Sequence, residues 1–367
     1  MNLPYLAVAA LGLTWGALPG AAQTAGPPDV PPASTESPEG ATDSTDAHVR
    51  AFRIQIRSLF NKGAYAELDA LAERLRSQKL RFKGGGWQLN EFYRTVGGAG
   101  SLTATDAAWQ SHIDKLEQWI KETPASPTPR VALAHAYLRF AWKARGNGYS
   151  NTVTTEGWKL FNQRVQSSRA VLEDAAKASG PDPQWYREMQ TVALAQGWDR
   201  PQVDALANQA LANEPGYYYF ATAQANYLLT KWYGKPGESE RYAEEVADQA
   251  GGNEGDAAYF LIAAGLNCCR ATQAPALSWP RVQKGFSALD QLWGSTNYQR
   301  NVMAYLALRA GDTETAQQMF ERIGNDWDEN VWKTKALFDA SRTGQAVGKA
   351  RPLRADNAAT GTAAAND

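Results

Sequence analysis

The stretch "VMAYLALRAGDTETAQQMFERIG", residues 302–324, decides the fold. Tyr305 and Leu308 share one face of a first helix, and Ala316, Met319 and Phe320 share one face of a second. Only a Gly-Asp turn at 311–312 separates them, so the two helices form an antiparallel pair.

The same unit recurs towards the N-terminus. In "MQTVALAQGWDRPQVDALANQALANEP", residues 189–215, Pro201 stands at a helix start and Pro215 just after a helix end. "NKGAY" at 61–65 and "AQGWDR" at 195–200 are turns of the same kind. Phe52, Ile56, Leu59 and Phe60 make one helical face that Gly63 closes, and Tyr65, Leu68, Leu71 and Leu75 make the next. Trp109, Ile113, Leu116 and Ile120 form a third face ending before Pro124; Leu133, Tyr137, Phe140 and Ala141 form a fourth ending near Gly146. No alternating run reaches strand length. The spacing predicts an all-α fold: an irregular tetratricopeptide-like α-solenoid of antiparallel helix pairs, with a single globular helical domain as the alternative.

The two ends read differently from the middle. "LAVAALGLTWGAL" near the start has the length of a signal-peptide core and is short for a membrane span; "GAAQ" follows it, placing cleavage after Ala22, although "MNLPY" carries no positive charge. A periplasmic or secreted location is the expectation, with no transmembrane span. Residues 23–46 are rich in Pro, Ser, Thr and acid and predict a disordered tether. Residues 342–367, ending "NAATGTAAAND", predict a disordered tail, which leaves 47–341 as the helical-repeat domain. Residues 1–49 hold five acids and no Lys or Arg, so the remainder carries 37 basic against 33 acidic residues. That excess is too small for a nucleic-acid partner.

Three segments carry a family resemblance: "FAWKARGNGYSNTVTTEGWKLF" at 140–161, "NEPGYYYF" at 213–220 and "LLTKWYGKPGESERYAEEVA" at 228–247. Together, over about 50–300, they resemble a bacterial domain of unknown function, family 4034. Trp142, Arg145, Gly146, Lys231, Trp232, Gly234 and Gly237 stand at the family's Trp-x-x-Arg-Gly and Lys-Trp-x-Gly-x-x-Gly positions, and Thr230 replaces its commoner proline. The resemblance implies a helical-repeat architecture and assigns neither activity nor catalytic residues.

Candidate chemistry is sparse. His48, His112 and His135 are the three histidines, none at metal-ligand spacing, and His135 lies within the apolar "VALAHAYL". "KGGGW" at 83–87 lacks the ending of a phosphate loop and reads as a flexible joint. The adjacent Cys268 and Cys269 would diverge by about 100° on a helix, so reduced thiols are expected. Trp109, Trp119, Trp142, Trp158, Trp185 and Trp198 are expected to fill gaps between helix pairs. The acids of Glu244-Glu245 and of Glu254 and Asp256 read as helix ends or solvated faces.

These observations point to an exported helical-repeat scaffold for a protein or peptide partner, without cofactor or metal. The rival is an enzyme or small-ligand binder acting on cell-envelope carbohydrate or peptide. The contact face is placed at Trp142, Arg145, Tyr149, Lys231, Trp232 and Tyr233, where two loops mix cations with aromatics. Trp232 is either a packing wedge or, if it shares a groove with Arg145, part of a site.

Overall fold

Short helices persist here because their ends are capped by the residues that stop them. Asp199 and Thr296 each accept from the backbone N–H three residues on, and Gln202 and Gln299 reach back to close the capping boxes. Gly197 and Gly311 end their helices in the left-handed conformation. The computed structural model describes residues 47–100, 103–146, 150–179, 182–230, 232–267 and 277–344. The expected export signal and tether within residues 1–46, Tyr149, Lys231, both cysteines and nearly all of the expected tail lie outside the described residues.

Sixteen α-helices occur among the described residues. They are α1 (Ala47–Asn61), α2 (Tyr65–Ser77), α3 (Gln88–Val96), α4 (Asp106–Glu122), α5 (Thr128–Arg145) and α6 (Thr155–Ser179). Next come α7 (Pro183–Gln196), α8 (Arg200–Asn213), α9 (Tyr218–Tyr227), α10 (Glu238–Ala250) and α11 (Gly252–Asn267). The C-terminal part holds α12 (Trp279–Trp293), α13 (Asn297–Ala310), α14 (Thr313–Ile323), α15 (Glu329–Trp332) and α16 (Lys335–Arg342). An isolated bridge pairs Arg81 with Trp87, and no strand occurs among the described residues, so the fold is all-α. The pair at 302–324 forms as the spacing predicts, as α13 and α14.

Helix order and packing define two layers. Odd-numbered helices touch the next odd-numbered helix in unbroken series from α1 to α15, while even-numbered helices pack against their sequence neighbours. The inner helices are therefore buried on several sides: α5 encloses Val131, Ala132, Leu133, Ala134, Ala136 and Leu138. Outer helices keep the one-sided stripe of a surface helix, Tyr242, Ala243, Val246 and Ala247 on α10 and Ala316, Met319, Phe320 and Ile323 on α14. Small residues let the layers approach closely. A Cβ at Gly285 of α12 would stand 2.4 Å from the Asp256 carbonyl oxygen of α11.

The array curls far enough for its beginning to meet its end. The Gly84 N–H donates to the Gly294 carbonyl at 2.8 Å, and Gln299 Nε2 donates to the Gly84 carbonyl at 2.8 Å. Trp87 Nε1 donates to the Gly216 carbonyl at 2.9 Å, and the Trp87 N–H donates to the Tyr219 hydroxyl at 3.1 Å. The Arg81 guanidinium lies 3.6 Å from the Trp87 ring centre and 5.4 Å from that of Trp293. Burial lowers its pKa to about 10, so it remains a cation at neutral pH. "KGGGW" is thus a structural clasp, with Gly84 and Gly85 buried, and not the flexible joint that three glycines suggested. Gly85 holds φ +78°, and a Cβ there would lie 2.5 Å from Trp293 Cε3. Gly85→Ala is expected to cost about 1–2 kcal/mol for left-handed backbone and about 1–3 kcal/mol for the displaced ring. Urea unfolding followed by tryptophan fluorescence checks this; a loss under about 1 kcal/mol would show that the clasp yields freely.

Candidate functional site

A chain that curls in this way fills part of its own concave side. Polar side chains from α2, α3, α5, α7 and the loop before α9 meet there in two linked clusters. In the first, Tyr93 donates to Asp182 Oδ2 at 2.5 Å, and Arg76 Nη2 donates to the same oxygen at 3.0 Å. In the second, Asn90 Nδ2 and the Tyr217 hydroxyl both donate to Gln184 Oε1, and Gln184 Nε2 donates to Glu188 Oε1 at 2.5 Å. His135 Nδ1 lies 2.9 Å from that Glu188 oxygen, and the His135 Nε2 atom is buried without a partner. Burial alone would raise the Glu188 carboxyl pKa. The His135 imidazole, with help from Arg187 and the Gln184 amide, reverses this and holds it below 4.5. His135 and Glu188 thus make a buried side-chain contact that couples α5 to α7.

The predicted contact residues divide between two places. Arg145, 8% exposed, lies 5.5 Å from the Trp142 ring centre and 5.3 Å from that of Trp158, and its Nη1 donates to the Gly146 carbonyl. Trp142 is half-buried and meets Phe161 edge-on at 5.1 Å. Burial lowers the Arg145 pKa. Trp232 is half-buried against the core, while Tyr233 is 38% exposed and stacks on Tyr227 at 4.7 Å. The first group is fixed by α6 and the second by the end of α9; α7 packs against both α5 and α9 and stands between them. Tyr149 and Lys231 are outside the described residues. The indole packing expected of Trp109 and Trp119 is complete, since both are fully buried.

The "LLTKWYGKPGESERYAEE" segment forms the reversal after α9. Helix α9 ends at Tyr227, and the Tyr233 N–H donates back to the Tyr227 carbonyl at 3.2 Å. Gly237, at φ +82°, caps α10. Ser239 Oγ donates to the Ala225 carbonyl at 2.7 Å and fixes the new helix on α9.

This corner opens a polar groove of about 260 Å³ between α8 and α10, lined also by Gln224 of α9 and Leu228 just after it. Arg200, Asp204 and Asn208 line it from α8, and Glu238, Arg241, Tyr242 and Glu245 from α10. Arg200 pairs with Asp204 at 2.6 Å and Glu238 at 3.3 Å, and Gln224 Nε2 donates to Asp204 at 3.1 Å. The Lys235 N–H donates to Glu238 at 2.7 Å; that bond first, then Arg200, holds the Glu238 pKa below 4.5. Tyr227, beneath the exposed Tyr233, has its hydroxyl pKa raised by burial and lies within electrostatic reach of Arg200 and Asp204. Tyr233 thus stands beside this groove, not in the Arg145 cluster.

Sequence reading missed Arg200, Asp204, Asn208, Arg241, Tyr242 and Glu245. The signal was present: residues 200, 204 and 208 share a helical face, as do 238, 241 and 245, and both are wholly polar. A polar stripe on an outer helix is usually a solvated face, and nothing in one sequence shows two such stripes facing each other. A second groove, about 420 Å³, lies beside α1 and is lined by Phe52, Phe82, Arg81 and Lys83 among others. No group of three or more His, Cys, Asp or Glu side chains able to hold a metal occurs among the described residues.

No curated protein and no solved structure matches the chain. Residues 52–202 match the family model described as a domain of unknown function (DUF4034). The segment at 140–161 lies inside that match, whereas 213–220, 228–247 and most of the groove lie beyond its C-terminal limit.

Proposed function

We propose that this is an exported helical-repeat scaffold that binds a protein or peptide partner in the groove between α8 and α10. The observation that carries the reading is the groove itself. It sets a guanidinium, a carboxylate and two amides on a frame braced by Arg200, the kind of lining that pairs with peptide groups. No helix among the described residues is long and apolar enough to cross a membrane, which accords with export as a free protein. Export itself rests on the apolar run and the "GAAQ" site at the N-terminus.

A photo-crosslinking residue at Asn208 or Glu245, both exposed, tests the reading in cells. Reproducible peptide or protein adducts at these positions, and none at exposed Lys121 on α4, are the expected result. Equal labelling at all three would overturn the placement. The same sample tests export, since intact mass is expected to show a chain beginning at Gln23. The enzyme alternative draws on the three carboxylates of Asp204, Glu238 and Glu245. Arg200 holds two of them in ion pairs, which favours binding over proton transfer there.

A further inference from the structure

We infer that the groove recognises the free ends of a very short peptide, a zwitterion of about dipeptide size, an inference that rests on the peptide-binding reading above. The argument begins with which charges are already spent. Asp204 and Glu238 share Arg200, so that trio forms a neutral wall. Arg241 and Glu245 remain. They line the same groove one turn apart on α10, and neither forms an ion pair among the described residues. Their order explains this: an acid placed four residues after a base is the weaker helical arrangement, because it opposes the helix dipole. One turn brings their Cβ atoms within about 6 Å, while the side chains extend outward from there. A ligand bridging them carries a carboxylate for Arg241 and an ammonium for Glu245, a short distance apart.

Two further observations support this. Tyr242 borders the groove, is 9% exposed, and its hydroxyl has no hydrogen-bond partner. A buried hydroxyl without a partner is destabilising unless a ligand supplies one. Asp204 and Glu245 both lie within electrostatic reach of it, so a ligand ammonium drawn to these acids arrives on the side of the groove where that partner is lacking. Gly237 provides the second: Arg241 Nη1 lies 2.9 Å from where a Gly237 Cβ would stand. The guanidinium thus folds back over the start of α10, where Gly237 holds φ +82°. The volume also limits the occupant. At about 260 Å³ the groove falls below the range of roughly 300–1,000 Å³ usual for drug-sized ligands, so it holds a chain end and not a folded surface.

The test uses the mature chain and titration calorimetry with unblocked dipeptides of the form Ala-Xaa. The same dipeptides acetylated and amidated, and a set of blocked octapeptides, are run beside them. The expected result is binding of unblocked dipeptides and loss of at least about tenfold on blocking either end. Arg241→Gln and Glu245→Gln are each expected to weaken binding about tenfold or more. Tyr242→Phe is expected to weaken it about threefold to tenfold while leaving the melting temperature of the free protein unchanged or higher, a result that general misfolding would not produce. Equal binding of blocked and unblocked dipeptides overturns the inference and leaves peptide binding standing, as does binding of blocked octapeptides alone. Failure of every peptide overturns both.

Discussion

His135→Ala is expected to destabilise the protein by about 1–3 kcal/mol, the usual result of leaving a buried polar group without its hydrogen-bond partner. The His135 and Glu188 side chains are 13% and 3% exposed, and Glu188 has Gln184 as its other close partner. Without the imidazole the carboxylate keeps its full desolvation penalty and loses the partner that offset it. The pH dependence of stability should then change sign. In the native protein the Glu188 pKa lies below 4.5. Its contribution is therefore present above the unfolded value and lost as pH falls through the folded one. In His135→Ala burial dominates and raises the folded pKa, so the carboxyl is best tolerated when protonated and stability is lost as pH rises. Urea midpoints measured from pH 3 to 7 distinguish the two slopes. The double variant His135→Ala with Glu188→Gln should recover most of the difference at pH 7, because no unpaired charge is left inside. A single-variant loss below about 1 kcal/mol, with an unchanged pH slope, would show that the pair is hydrated and unimportant.

This buried contact marks where sequence reading stops. The helices were legible because their signals are local: apolar faces at helical spacing, Pro201 at a helix start, Gly311 at an end. The curl was not. Gly84 meets Gln299 across 215 residues, and no local property of "KGGGW" distinguishes a buried clasp from a mobile joint. His135 and Glu188 are 53 residues apart, and each alone reads as an ordinary member of an apolar helix. At the candidate site the limit runs the other way. Trp142, Arg145 and Trp232 are conspicuous in composition, yet Trp142 and Arg145 hold α5 to α6 and Trp232 is half-buried against the core. The groove-lining residues are unremarkable singly and acquire meaning only when α9 brings α8 and α10 together. The resembling segment nonetheless supplies one wall, since Glu238, Arg241, Tyr242 and Glu245 all lie within 228–247.

Gly234→Ala is the second substitution with a large expected effect, and it tests whether that segment builds the groove. A Cβ at Gly234 would stand 1.8 Å from the Leu228 carbonyl oxygen and 2.3 Å from its carbon. These are backbone atoms, so no side chain can rotate away. Relief requires opening the reversal that follows α9. Overpacking usually costs about 1–3 kcal/mol, and a backbone collision belongs at or beyond the upper end. The effect should also reach the groove. Opening the reversal moves Gly237 and Glu238, and with them the Arg200–Glu238 link at 3.3 Å and the position of Arg241. Gly234→Ala is therefore expected to lower the urea midpoint and to weaken dipeptide binding even at low urea, where the chain is folded. Gly311→Ala is the matched control. It has nothing within 4 Å of the added Cβ, and it sits at φ +78°. Its cost should stop at about 1–2 kcal/mol of left-handed backbone strain, with binding untouched. If Gly234→Ala behaves like Gly311→Ala, the reversal is pliable and the corner does not set the groove. If it loses binding at a folded baseline, the glycine at 234 is there to let α9 turn into α10 at the one angle that sets Arg241 and Glu245 of α10 across the groove from α8.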